Sequence, residues 1–267
     1  GMHQTLGIPL WTPAMPKAYR IHKQLRSHIT AKPDKVVYFP SCINQTMGLA
    51  RKSPEEMALV DKMVSLLQKG GFEVIFPDNM DKLCCGTIWE SKGMMDIADR
   101  KSKELEEALW KASEEGLYPV LCDQSPCLHR MRETIKKMKL YEPAEFIYTF
   151  LRDRLIFTPT DEPVAIHITC SMRRMGLADT IINLAKLCSK NVFVPEEIGC
   201  CGFAGDRGFT HPEVNAYALR KLRPQLKEKG IQRGYSNSRT CEIGLTTNSG
   251  IPYVSIAYLV DRCTRPK

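Results

Sequence analysis

Eight of the eleven cysteines stand at matching places in two successive stretches, and this repeat constrains the chain more than any other feature of it. In each stretch one cysteine follows a first apolar run (Cys42, Cys170). A Cys-Cys-Gly triplet follows a second run (Cys84-Cys85-Gly86, Cys200-Cys201-Gly202), and a single cysteine follows a third (Cys127, Cys241). The intervening residues number 41 and 41 in the first stretch, 29 and 39 in the second. A chain of 267 residues buries a large core without covalent staples. An odd cysteine count with no basic-then-apolar leader therefore points to metal or redox chemistry rather than to disulfides.

The runs between the cysteines have alternating character. Val36-Val37-Tyr38-Phe39 reads as a buried strand, and Ser53-Pro54-Glu55-Glu56 supplies a cap, a proline and first-turn acids for a helix reaching Lys69, ended by Gly70-Gly71. A strand over 73–76, a helix over 92–115, a strand over 118–121 and helices over 128–139 and 144–155 complete the first pass. The second pass repeats the order: strand 164–168, helix 177–189, strand 192–194, helix 213–222 with a continuation, a short strand near Tyr235 and a last helix from about Ser255. This predicts an α/β fold of two tandem similar units with parallel sheets, related by a pseudo-twofold axis. The expected boundaries are an N-terminal arm over 1–34, a first unit over 35–160 and a second over 161–267. The arm has four prolines between Gly7 and Pro33, basic residues Lys17, Arg20, Lys23 and Arg26, and no sustained period.

In parallel α/β folds the carboxyl ends of the strands share one edge, so three cysteine-bearing loops per unit converge on one rim. Cys42, Cys84, Cys85 and Cys127 form one candidate ligand set, and Cys170, Cys200, Cys201 and Cys241 the other. Glycine after each Cys-Cys pair lets the backbone turn both sulfurs to one side. Four thiolates suit an iron–sulfur cluster or zinc, although the long gaps differ from the short knuckles of common zinc sites. Cys188 and Cys263 fall outside the register and read as small core residues.

The stretches Val36-Val37-Tyr38-Phe39-Pro40-Ser41-Cys42, Cys84-Cys85-Gly86 and Cys200-Cys201-Gly202-Phe203-Ala204-Gly205-Asp206-Arg207-Gly208-Phe209 resemble the cysteine-rich CCG domain. That domain occurs in the cysteine-rich subunit of heterodisulfide reductase, in glycolate oxidase iron–sulfur subunits and in the C-terminal region of FAD-linked D-lactate dehydrogenases. The resemblance covers about residues 35–263 and implies an electron-transfer region of a D-2-hydroxyacid dehydrogenase. It implies one or two [4Fe–4S] clusters on the eight cysteines, or zinc in one unit, with no catalytic residue on this chain. FAD would sit on an oxidase module in the same polypeptide or a partner subunit, and a cytochrome or quinone would accept the electrons. No strand–GxGxxG–helix unit and no Cys-x-x-Cys-x-x-Cys run is present, so this chain alone is expected not to oxidise lactate. The alternatives are a heterodisulfide reductase-like thiol–disulfide subunit and a zinc-stabilised scaffold. The family's Cys-x-x-Cys has Gln124 and Ser238 at its first position here, so each unit keeps four of five cysteines; Cys122 and His167 are the additional ligand candidates.

The remaining signals are weaker. A net charge of +8 over this length reads as a solvated surface, and no basic helix supports nucleic-acid binding. The longest apolar run, 251–260, is about half a membrane span, so the expected location is cytoplasmic or peripheral at the inner face of the membrane. His129 and His211 read as exposed helix-start residues. Arg207 reads as a cluster counter-ion, a carboxylate ligand or a surface ion pair, and the twelve methionines as core filler.

Overall fold

Successive residues of Val36–Phe39 enter two different cores: Val36 and Tyr38 one, Val37 and Phe39 the other. A strand buried on both faces does this because side chains alternate across it. The computed structural model describes residues 6, 11–21 and 33–267. The strands are β1 (Pro16–Ala18), β2 (Asp34–Phe39), β3 (Met47–Ala50), β4 (Phe72–Ile75), β5 (Val120–Cys122) and β6 (Leu140–Tyr141), then β7 (Leu155–Phe157), β8 (Val164–Ile166), β9 (Val192–Phe193), β10 (Arg233–Tyr235), β11 (Tyr253–Val254) and β12 (Thr264–Pro266). Two parallel four-stranded sheets result, β4-β2-β5-β6 and β9-β8-β10-β11. In both, the first strand of the unit lies between the second and third, and the fourth follows the third.

The pseudo-twofold relation shows in exchanged contacts. The Leu59–Lys69 helix of the first unit packs on the Ile256–Arg262 helix of the second, and the Ala178–Cys188 helix of the second packs on Pro143–Phe146 of the first. Each pair joins the helix after the first strand of one unit to the helix after the fourth strand of the other. Beyond them β7 and β12 pair antiparallel, Ile156 opposite Arg265 at the centre. These helices form a layer between the two sheets, with Leu66, Leu67, Phe146, Ile181, Leu184 and Leu259 in its core. Separate cores cover the outer faces, around Leu105 and Leu109 in one unit and Phe203, Leu219 and Leu222 in the other. Among the described residues no helix is long and apolar enough to cross a membrane.

Several boundaries differ from expectation. Ser53 does not cap the helix; its Oγ accepts from Glu55 N at 3.1 Å in a local turn, and the helix starts at Leu59. Its onset follows the apolar stripe Leu59, Val60, Met63 and Val64, which tertiary burial rewards more than an exposed cap. The helix expected over 92–115 is Met95–Ala112, and that over 213–222 is broken into Pro212–Ala218 and Leu222–Glu228. The 128–139 helix starts and stops earlier, as Ser125–Thr134; the 144–155 helix is Pro143–Phe146, continued by a π-wound turn to Leu151 before β7. The arm supplies β1, paired antiparallel with β3; Lys23 and Arg26 lie outside the described residues.

A buried polar seam joins the units. Glu142 Oε1 accepts from Asn237 Nδ2 at 2.6 Å and Ser125 Oγ at 3.0 Å, and Oε2 accepts from Ala144 N at 2.6 Å. Asn237 Oδ1 in turn accepts from Ser255 Oγ and Ile256 N. Burial outweighs those donors and pushes the Glu142 carboxyl up to about 7 from 4.5. A raised acid holds its proton in the folded chain after the unfolded chain has released it, so this contribution to stability is full below pH 4.5 and is lost as pH rises through 7. The stability difference between the native chain and Glu142→Gln should therefore change by about 3 kcal/mol between pH 4 and pH 8, read by urea unfolding across that range. A pH-independent difference would show that Glu142 ionises normally.

Candidate functional site

Because both sheets are parallel, the first-strand, second-strand and third-strand loops of each unit emerge at the same edge. Cys42 opens the Cys42–Thr46 helix directly after β2, Cys84-Cys85 lie on the loop after β4, and Cys127 sits in the first turn of Ser125–Thr134 after β5. Their side chains contact one another in the order Cys42, Cys84, Cys85, Cys127. Donation from Cys42, then from Cys85, holds the Cys84 thiol down at about 3, while donating to Cys84 pushes Cys42 up. Gly86 N lies 3.4 Å from Cys84 Sγ and donates to it.

The second unit repeats this arrangement. Cys170 opens the Cys170–Arg174 helix after β8 and hydrogen-bonds Cys200; Cys200 contacts Cys201, whose Sγ is 3.0 Å from Cys241 Sγ. Gly202 N donates to Cys200 Sγ at 3.3 Å, and Phe203 N to Cys201 Sγ at 3.5 Å. Gly86 and Gly202 have φ of +89° and +71°, the left-handed conformation that lets each Cys-Cys pair turn inward.

Each Cys-Cys loop is held from behind by its second cysteine's carbonyl. Cys85 O accepts from Ser102 Oγ at 2.9 Å and from Arg130 Nε at 3.1 Å; Cys201 O accepts from Asn215 Nδ2 at 2.5 Å. Arg130 is buried and also meets Glu90 and Asp99 at 2.7 and 2.8 Å. Lys92 and Asp206, each a few residues beyond a Cys-Cys-Gly, form an ion pair at 2.8 Å, so the two sites open side by side. Cys42, Cys170 and Cys200 are exposed, whereas Cys85, Cys201 and Cys241 are buried.

Among the described residues no group of three or more His, Cys, Asp or Glu surrounds a point as finished metal ligands would. The thiols, all free, instead contact one another in succession. The donor set nevertheless fits an iron–sulfur group: four thiols per site, no carboxylate among them, and backbone N–H groups directed at sulfur.

Cys122 is a buried thiol beside the first site's four; burial and Asp123 hold it well above the usual thiol range, and Cys85 is among its neighbours. Ser236 occupies its place in the second unit and meets His167 Nδ1 at 3.0 Å. His167 is buried, and that burial pushes its imidazole down to about 4; its Nε2 has no hydrogen-bond partner among the described residues. Gln124 and Ser238 bond to each other: Gln124 Nε2 donates to Ser238 Oγ at 3.2 Å across the units, and Arg239 N donates to Gln124 Oε1 at 2.9 Å. His211 is exposed and meets Glu213 at 3.4 Å; His129 is partly buried, 3.5 Å from Glu133. Arg173, Arg174 and Arg207 are exposed. Ser102, Arg130 and Asn215 carried no sequence signal, because their role depends on helices brought against the loops by packing.

The family model for the CCG cysteine-rich domain matches residues 36–132 and 164–246. Lactate utilization protein A 1 of Bacillus mycoides (strain KBAB4) is 24% identical over 209 residues, covering 71% of this chain and 84% of that protein. Picrophilus torridus aspartate racemase aligns with a TM-score of 0.39 and 9% identity over 88% of this chain and 96% of its own. An aspartate racemase homologue of Pyrococcus horikoshii OT3 aligns with a TM-score of 0.32 and 12% identity over 86% and 96%. Neither structural likeness is close enough to carry an argument. With two matched segments that together span most of the chain, each holding one four-thiol site on the same strand ends, this protein belongs to the CCG cysteine-rich domain family and carries the domain twice.

Proposed function

We propose that the chain is an iron–sulfur electron carrier of a lactate-oxidising system. The observation that carries this reading is the duplication of one thiol arrangement, with identical contact order, on identical strand ends of two units. Its similarity to a lactate utilization protein supplies the substrate class. Cys42, Cys84, Cys85 and Cys127 would hold one cluster, and Cys170, Cys200, Cys201 and Cys241 the other. When bound, such a group supplies one-electron transfer at a potential set by its ligands and their hydrogen bonds.

The chain's own residues then have definite tasks. Gly86, Gly202 and Phe203 amides donate to sulfur and favour its anionic form. Ser102, Arg130 and Asn215 fix the loops. Buried Cys85, Cys201 and Cys241 keep one side of each site dry, while exposed Cys42, Cys170 and Cys200 leave the other side open to an electron donor. The donor is an FAD-bearing oxidase module, in the same polypeptide or a partner subunit, and the acceptor a cytochrome or quinone. The site is cytoplasmic, or at the inner face of the membrane.

The test is iron, zinc and acid-labile sulfide content of protein purified without oxygen, with an EPR spectrum after dithionite. Equal iron and sulfide with a reducible signal is the expected result. Zinc without sulfide would replace the carrier by a scaffold, and consumption of a disulfide substrate would replace it by a thiol–disulfide enzyme.

A further inference from the structure

Cys188 and Cys263 belong to neither thiol site, yet they meet. Cys188 ends the Ala178–Cys188 helix and is fully buried; Cys263 caps the Ile256–Arg262 helix and is 6% exposed. Cys263 Sγ donates to Cys188 O at 3.3 Å, which sets the two side chains beside each other, and each thiol perturbs the other's ionisation. One short segment holds both in place: Thr158 N donates to Cys263 O at 2.8 Å and Thr160 N to Cys188 O at 2.9 Å. Two ordinary core cysteines need no such juxtaposition.

We propose that Cys188 and Cys263 are a modification site, an internal dithiol that hydrogen peroxide converts to a disulfide. Hydrogen peroxide is a small neutral oxidant, and Cys263, 6% exposed, is the thiol it meets first. The two thiols differ as an attacking and a resolving group do. Cys263 is the less buried of the two and has the Arg262 charge beside it, and contact with Cys188 and that charge lower its thiol against its burial, which suits the attacking group; Cys188, fully buried and pushed up by the same contact, suits the resolving one. Cys263 sulfur attacks one peroxide oxygen; the S–O bond forms, the O–O bond breaks, and hydroxide leaves as water after taking a proton. Cys188 sulfur then attacks the Cys263 sulfenic acid; the S–S bond forms, the S–O bond breaks, and the leaving hydroxide takes the Cys188 proton. Two thiols and one peroxide give one disulfide and two waters.

The bond would tie the Ala178–Cys188 helix to the C-terminal segment. Both cysteines belong to the second unit, so oxidation would stiffen the face of that unit on which the Leu59–Lys69 helix and β7 of the first unit pack. The inference is independent of what the eight site cysteines bind.

The test uses the full chain, reduced, then treated with hydrogen peroxide, alkylated in denaturant and mapped by peptide mass. The expected result is a linked peptide pair containing Cys188 and Cys263, lighter than the two reduced peptides by two hydrogen atoms. Its formation should raise Tm on the order of 5 °C, reversed by reductant. Cys188→Ala should abolish the link and the rise, and leave Cys263 as sulfenic or higher acid. Recovery of both thiols in alkylated form after exposed Cys42, Cys170 and Cys200 have oxidised would overturn the proposal, as would Cys263 bridged to another cysteine.

Discussion

Serine at both Cys84 and Cys85 should remove the iron of the first unit and leave the second loaded, so that iron and sulfide per chain fall by about half. The side chains of Cys84 and Cys85 link Cys42 to Cys127 in the contact series, so replacing both leaves Cys42 and Cys127 with no thiol between them. Serine is nearly isosteric but a hard donor, which the soft ligand requirement of a cluster does not accept. The matching replacement of Cys200 and Cys201 should empty only the second unit, and EPR on the two variants should separate the signals. The fold should persist in both, because the central helix layer does not include these loops. Loss of all iron from either variant would mean one site shared across the Lys92–Asp206 contact rather than two.

Gly86→Ala should cost about 4 kcal/mol and lower Tm by roughly 10 °C. Two effects add. The backbone has φ +89°, which strains an L residue by about 1–3 kcal/mol. A Cβ there would also lie 2.4 Å from Ala98 O and 2.9 Å from Arg130 Nε, and a backbone carbonyl inside a long helix yields little. Gly93 separates the two effects, since it has φ +77° and no described residue lies within 4 Å of a Cβ there. Gly93→Ala should therefore cost only about 1 kcal/mol. Equal losses at the two positions in thermal unfolding would mean that the contact with Ala98 contributes nothing. Gly86→Ala should also lower iron retention in the first unit, because the Cys85 carbonyl cannot keep both Ser102 and Arg130 once the loop shifts.

Local pattern made much of this molecule legible before its shape was known. Apolar runs of strand length, each followed by a cysteine, placed the thiols at strand ends because parallel sheets align those ends. The repeat of three such loops made two equivalent sites the only economical arrangement, and glycine after each Cys-Cys pair announced a turn that side-chain-bearing residues avoid. The same signals failed at boundaries where long-range contact decides. Ser53 offered a cap, yet the Leu59–Lys69 helix begins where its apolar stripe meets the Ile256–Arg262 helix of the other unit. The 144–155 stretch has helical character throughout, but Leu155 joins β7 because a partner strand arrives from the C-terminus.

The sequence by itself determined the unit, its strand–helix order and the eight thiols at its strand ends, because periodicity and spacing are local properties. Only the tertiary structure decided how the two units meet. It turned Gln124 and Ser238 toward each other, buried Glu142 against Asn237, drew Arg130 and Asn215 behind the Cys-Cys loops and brought Cys188 to Cys263. Residues 14 to 114 positions apart have no local pattern to mark their approach. Their contacts exist because burying the shared helix layer fixes one relative placement of the sheets, and every side chain on the seam must then find a partner in that placement.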